Sequence, residues 1–218
     1  SEIVIGSDGR PYEKFSDGSE VCIEDEILVE LPHGWVWARL GNYTEKVTDQ
    51  VASGSFATLR ENVKSLKSPD YAIMVKTADF SNGFTKNLTF TDKHGYDFLS
   101  NSNLFGGELI LSNIGSVGKC FIVPHMKQKM TLAPNAIMIR FTSEDLRDYL
   151  FHLFGSPFGY TQLLSISSGT AMKKFNKTDL KSLLLPIPPL AEQKRIVAKI
   201  EELFAEVERI ANAKDGIT

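Results

Sequence analysis

Between Pro189 and Gly216 the chain runs without a glycine or a proline, and that run constrains the fold more than any other stretch. Apolar residues fall at 196, 200, 203, 207 and 210, and a second register at 197, 200, 204, 207 and 211 overlaps the first. Spacings of four and three put both sets on one broad stripe of an α-helix. Pro189 suits a first helical position, where the N–H that proline lacks would have no helical partner anyway. A helix of about 25 residues is ~37 Å long at 1.5 Å per residue. Its other face carries Lys194, Arg195, Lys199, Glu201, Glu202, Glu206, Glu208 and Arg209, with opposite charges three apart at Lys199–Glu202 and Glu206–Arg209. Such a stripe packs against the chain's own body or zips to a second helix. It spans little more than two heptads, so periodicity alone leaves both open. Ile196, Ile200, Leu203, Phe204, Val207 and Ile210 are the residues that would meet a partner helix.

The remaining chain is long enough to bury a core. With 218 residues, 42% hydrophobic and 10% aromatic, one domain of about 150–180 residues plus an appended element is expected. No apolar run reaches the ~18 residues of a membrane span. The first residues also lack the basic-then-apolar pattern of a signal peptide. Cys22 and Cys120 are too few for a disulfide framework, so unpaired thiols in a reducing cytoplasm are expected. The net charge of −3 hides an uneven spread. Residues 1–30 hold nine acids against Arg10 and Lys14, a net of −7, which leaves 22 basic and 18 acidic residues, a net of +4, in the rest. A mildly basic body permits a phosphate-facing patch.

In chain order, residues 1–30 read as an acidic lead-in with a short hairpin at Asp17-Gly18. Trp35, Trp37 and Arg39 alternate with Val36, Ala38 and Leu40 at the strand period of two. Residues 45–105 hold short β-prone runs, Ala72–Val75 and Leu88–Phe90, between polar stretches rich in Gly, Asn and Asp. Glu108–Ser112 and Lys119–Val123 flank Gly115-Ser116-Val117-Gly118 as a hairpin, and Ala136–Phe141 is a further strand. Asp145–Phe154 is a helix with Ser143 as its N-cap. Gly155, Pro157 and Gly159 break it, and helix resumes over 160–166. Leu183–Ile187 is a short strand leading into the long helix. The fold class expected is α+β: a globular mixed domain of short strands and helices over 31–187, then a long C-terminal coiled-coil-type helix over 188–218.

A search for chemistry finds no catalytic constellation. Gly115-Ser116-Val117-Gly118-Lys119 lacks the spacing of a phosphate loop, with Asn113 and Cys120 where Gly and Ser/Thr belong. Ser156-Pro157-Phe158-Gly159-Tyr160 has the wrong order for a base-holding methyltransferase loop. Glu192-Gln193-Lys194 sits at a helix start and not on a nuclease strand. His33, His94, His125 and His152 are too scattered for a metal site. Neither a cofactor nor a metal is expected. The polar loops carry more information. Ser167–Lys174 combines small hydroxyls, a flexible backbone and paired cations, a composition suited to phosphate contact. Lys127, Gln128 and Lys129 form a second cluster, with Lys119 as an addition. The DNA-contact candidates are Lys119, Lys127, Lys129, Ser168, Thr170, Lys173 and Lys174, and Asn82, Lys86, Asn101 and Asn103 are candidate base readers.

Pro188-Pro189-Leu190-Ala191-Glu192-Gln193-Lys194-Arg195-Ile196-Val197 resembles the conserved-region signature of type I restriction–modification specificity subunits. Gly169-Thr170 and Lys177-Thr178-Asp179-Leu180-Lys181 extend the match upstream. Tyr12–Gly18 with Ile23–Ile27 is similar to the linker before that family's recognition domains. Pro32-x-x-Trp35-x-Trp37-x-x-Leu40 is similar to their opening, and the strand–Gly-x-x-Gly–strand unit fits as well. The resemblance implies a non-catalytic subunit that reads one half of a split double-stranded DNA site. It also implies docking to methyltransferase and restriction subunits, with a second recognition half supplied by another copy or by the same longer chain. A coiled-coil adaptor that reads no DNA is the alternative.

Overall fold

The computed structural model describes residues 1–27, 29–170 and 172–215, and the side chains of residues up to 213. Thirteen strands and seven α-helices follow one another along these residues. The lead-in forms β1 (Glu2–Ile5), β2 (Pro11–Lys14) and β3 (Glu20–Cys22), and the body opens with β4 (Val36–Arg39) and β5 (Thr44–Thr48). Next come α1 (Phe56–Asn62), β6 (Ala72–Val75), α2 (Thr77–Ser81), β7 (Phe90–Thr91), α3 (Lys93–Phe98) and β8 (Asn103–Leu104). The centre is β9 (Leu109–Ser112), β10 (Cys120–Ile122), β11 (Lys129–Leu132) and β12 (Ala136–Phe141). It is followed by α4 (Glu144–Gly155), α5 (Pro157–Ser165), α6 (Lys177–Ser182), β13 (Leu184–Ile187) and α7 (Leu190–Asp215).

Three layers share two apolar cores. The middle sheet has the order β10-β9-β12-β5, and a second sheet, β7-β6-β11-β8, lies on one side of it. Leu109, Leu111, Ile137 and Ile139 point to the core shared with α4, α5 and α6. Their alternating neighbours Ile110, Ala136 and Met138 point to the core shared with Ile73, Val75, Met130 and Leu132 of the second sheet. Side chains of successive strand residues face opposite ways. A strand with both faces covered must therefore be apolar throughout, which explains Leu-Ile-Leu and Ile-Met-Ile as unbroken runs.

The helix starts follow local chemistry. Ser143, Ser156 and Asn176 each accept backbone N–H groups at the openings of α4, α5 and α6. The break after α4 is shorter than expected. Ser156 is its pivot, Pro157 is the first residue of α5, and helix runs over 157–165, not 160–166. Strand β11 was not anticipated at all. It pairs parallel to β6 and antiparallel to β8.

The acidic lead-in is more than one hairpin: β1, β2 and β3 form an antiparallel sheet. Arg39 ties it to the body, donating to Glu13 at 2.7 Å, to Glu26 and to the Ser182 carbonyl at 2.8 Å. Burial pulls the Glu13 carboxyl up, but hydrogen bonds from Arg39 and Ser1 outweigh it and hold that carboxyl below its ordinary range. β4 pairs with β13, which places Trp35 edge-on to Tyr149 at 6.3 Å. The Tyr149 hydroxyl donates to the Pro186 carbonyl at 2.9 Å, so α4 holds the strand from which α7 departs.

Helix α7 begins at Leu190, one residue later than its proline suggested, with the Pro189 carbonyl accepting from Glu192 and Gln193. Its first turns pack at home. Ile196 and Val197 rest against the domain core, and Lys194 pairs with Asp145 of α4 at 3.3 Å. No helix among the described residues is long and apolar enough to cross a membrane.

Candidate nucleic-acid interface

Strand registers bring three connections to one end of the stacked sheets. β6 and β11 run parallel and finish at Val75 and Leu132, while Ser112 of β9 lies opposite Ala136 of β12. Lys76, the turn at 133–135 and the hairpin tip at 113–119 therefore gather there. Segment 168–175 closes against them. Ser168 and Lys174 exchange backbone hydrogen bonds of 2.8 and 2.9 Å, and the Gly115 N–H donates to the Lys173 carbonyl at 3.4 Å. The Asn113 amide donates to the Phe175 carbonyl at 3.0 Å. Gly169 has φ +93, and a Cβ there would run into the Met172 carbonyl, so glycine is required at this bend.

The result is a cleft of about 390 Å3 lined by Ser65, Lys76, Thr77, Thr89, Ser116 and Asn135 over a floor that includes Met74 and Ile114. Lys76 is part of the wall. Its ammonium donates to the Asn87 carbonyl at 2.9 Å and to the Thr89 hydroxyl at 3.1 Å, and the Asp79 carboxylate lies 3.6 Å away. Lys119, Lys173 and Lys174 are exposed at this same end, together with Ser168 and Thr170, and none of the three lysines has a carboxylate partner among the described residues. Ala171, in the middle of that loop, lies outside the described residues.

Lys127 and Lys129 stand elsewhere. Lys129 opens β11 at the opposite end of the strand, about 10 Å from the cleft end at ~3.3 Å per residue. Its ammonium lies 5.6 Å from the Tyr71 ring and 5.3 Å from the Tyr96 ring, and Gln128 donates to the Asp70 and Tyr71 carbonyls. The seven contact candidates thus divide into a cleft group and a remote pair. Of the expected base readers, Asn82 already donates to the Lys86 carbonyl at 2.9 Å, and Asn103 is buried in β8. Lys86 and Asn101 are exposed. Asn135 went unnoticed, although Pro134-Asn135 is a turn signal placed directly before a strand. No cluster of three His, Cys, Asp or Glu positioned to hold a metal occurs among the described residues.

The long helix leaves the domain from the cleft end. Ile200 and Phe204 line a hollow with Gly118, Lys119, Phe121 and His152. From Leu203 onward the stripe is largely uncovered. Leu203, Phe204, Val207 and Ile210 are 52%, 60%, 61% and 50% exposed. An apolar row that remains exposed on a helix is an interaction surface or an aggregation hazard.

A family model described as Type I restriction modification DNA specificity domain matches residues 53–218. The Type I restriction enzyme StySPI specificity subunit of Salmonella potsdam is 23% identical over 192 residues, 82% of this chain and 38% of that protein. The Type I restriction enzyme EcoKI specificity subunit of Escherichia coli (strain K12) is 26% identical over 118 residues, 51% of this chain and 25% of that protein. The chain therefore spans well under half the length of these relatives. The crystal structure of the HsdS subunit from Thermoanaerobacter tengcongensis shares the fold with a TM-score of 0.51, at 23% identity over 84% of this chain and 45% of that one. A structure described as the basis of complex assembly and conformational transition of the type I R-M system superposes with a TM-score of 0.60, at 21% identity, over 85% of this chain and 42% of that one. With its family match covering well over half its length, on a mixed domain that ends in a long helix, this chain belongs to the type I restriction modification DNA specificity domain family.

Proposed function

We propose that this chain is the DNA-reading half of a type I specificity subunit. Residues 31–187 read one part of a split double-stranded site, and residues 188–218 pair with a second conserved helix. The observation that carries this reading is that Lys119, Lys173 and Lys174, with Ser168 and Thr170, are exposed at the same end of the stacked sheets as a polar cleft, in a chain of this family. Lysines on phosphates position a protein on DNA, while side chains in the cleft reach base edges. Lys127 and Lys129 add to the positive field from the far end and take no part in the cleft. The adaptor reading is disfavoured, because the family match covers the domain as well as the helix.

On this reading the chain carries no chemistry itself. It addresses methyltransferase subunits to DNA and, through them, restriction subunits. The second recognition half comes from another copy or from the rest of a longer chain. The test is methyl transfer to plasmid DNA with labelled methyl donor, using this chain, its methyltransferase partner, and both. Methylation at defined sites only with both present is the expected result. Methyl transfer by this chain alone, or site choice by the partner unaffected by this chain, overturns the reading.

A further inference from the structure

One side chain in the cleft has no role in the fold. Asn135 follows Pro134 in the turn that carries the chain from β11 in one sheet to β12 in the other. Its φ is +68, a conformation that glycine adopts freely and asparagine tolerates. The backbone around it is pinned on both sides. The Asn135 carbonyl accepts from the Asn113 N–H at 3.3 Å, and the Ala133 N–H donates to the Val75 carbonyl at 2.9 Å. The Asn135 side chain is exposed in the cleft and makes no hydrogen bond among the described residues. The amides of Asn82, Asn113 and Gln128 are by contrast committed to backbone carbonyls. Glycine would serve the turn better, so the carboxamide is what asparagine adds there.

A carboxamide on a rigid mount, in the cleft that Lys76 also lines, presents one donor and one acceptor side by side. That pair matches N7 and the N6 amino group of adenine in the major groove. We propose that Asn135 is a specificity-determining residue that reads an adenine of the half-site from the β11–β12 turn. This assignment rests on the DNA reading above and deepens it by naming the residue and the base.

The test uses Asn135→Gly in the full chain, which keeps the turn and deletes only the amide. Wild type and variant each select from a pool of randomised duplexes, and preference is counted position by position. The expected result is one A·T position that the wild type prefers strongly and the variant reads about ten- to a hundredfold less well, the span of one bidentate base contact, with other positions retained. Placing 7-deazaadenine at that position, which removes N7 alone, weakens the wild type and leaves the variant unchanged. Melting temperatures agree within a few degrees. A folded variant with every preference intact overturns the assignment and leaves the DNA reading standing. A variant that fails to fold shows the amide to be structural and overturns it too. A wild-type chain that selects no sequence overturns the DNA reading and the assignment together.

Discussion

The free stretch of α7 supports a quantitative prediction about pairing. Leu203, Phe204, Val207 and Ile210 lie 52%, 60%, 61% and 50% exposed, so roughly half of each side chain remains to be covered. Full burial of such a side chain is worth roughly 1.5–3 kcal/mol, so covering the second half contributes ~0.75–1.5 kcal/mol each. Leu203→Glu with Val207→Glu removes two of the four residues from each helix of a symmetric pair, a loss of ~3–6 kcal/mol. At ~1.4 kcal/mol per tenfold, pairing weakens by at least about a hundredfold. The domain itself should hold, because its contacts with α7 lie at Ile196, Val197, Ile200, Phe204 and the Lys194–Asp145 pair, none of which the double mutant changes. Sedimentation equilibrium with circular dichroism reads both effects. The expected outcome is a wild-type dimer and a folded double-mutant monomer. A wild-type monomer at tens of micromolar, or a double mutant that unfolds, refutes the argument.

Two further predictions concern the lead-in and the thiols. Glu13 has a depressed carboxyl pKa in the folded chain, so its contribution is present above the ordinary carboxylate range and is lost as pH falls through the folded value. Protection of the β1–β3 amides, relative to their intrinsic exchange rates, should therefore fall on acidification before protection in β9 and β12. Arg39→Met strands Glu13 without its cation, costs about 3–5 kcal/mol and should release the same sheet at neutral pH; unchanged exchange there would refute the tie. Burial pushes the Cys120 thiol up, whereas Cys22 is exposed on β3. Ellman's reagent should titrate Cys22 at once and the half-buried Cys120 much more slowly, and two equally fast thiols would contradict the packing of β10.

The legible parts of this chain were those in which one local pattern dominates. The stripe of α7, the Gly115–Gly118 hairpin and the Ser143 cap each express a single requirement, so the residues announce the element. Strand β11, Lys-Met-Thr-Leu, was invisible because it is short and mixed and is held by partners at β6 and β8 far off in sequence. The same cause misplaced the basic groups. Lys127 and Lys129 read like Lys173 and Lys174, and only the register of β11 sends them to the opposite end. Segment 168–174 was recognisable as a polar loop, yet its place at the cleft end comes from hydrogen bonds to 113–115 that no periodicity records. Trp35 and Trp37 alternate as in a strand, but the pairing begins at Val36, because Trp35 is taken up by Tyr149.

The central claim is that the cleft end faces DNA, and the salt dependence of binding tests it most directly. Duplex affinity of the assembled protein is measured over a range of salt concentrations for the wild type and for Lys173→Ala with Lys174→Ala. If both lysines sit on phosphates, the slope of log K against log salt flattens by roughly 1.8, about 0.9 per contact, and affinity falls alike for all sequences. An unchanged slope in a folded double mutant would contradict the placement of DNA at that end.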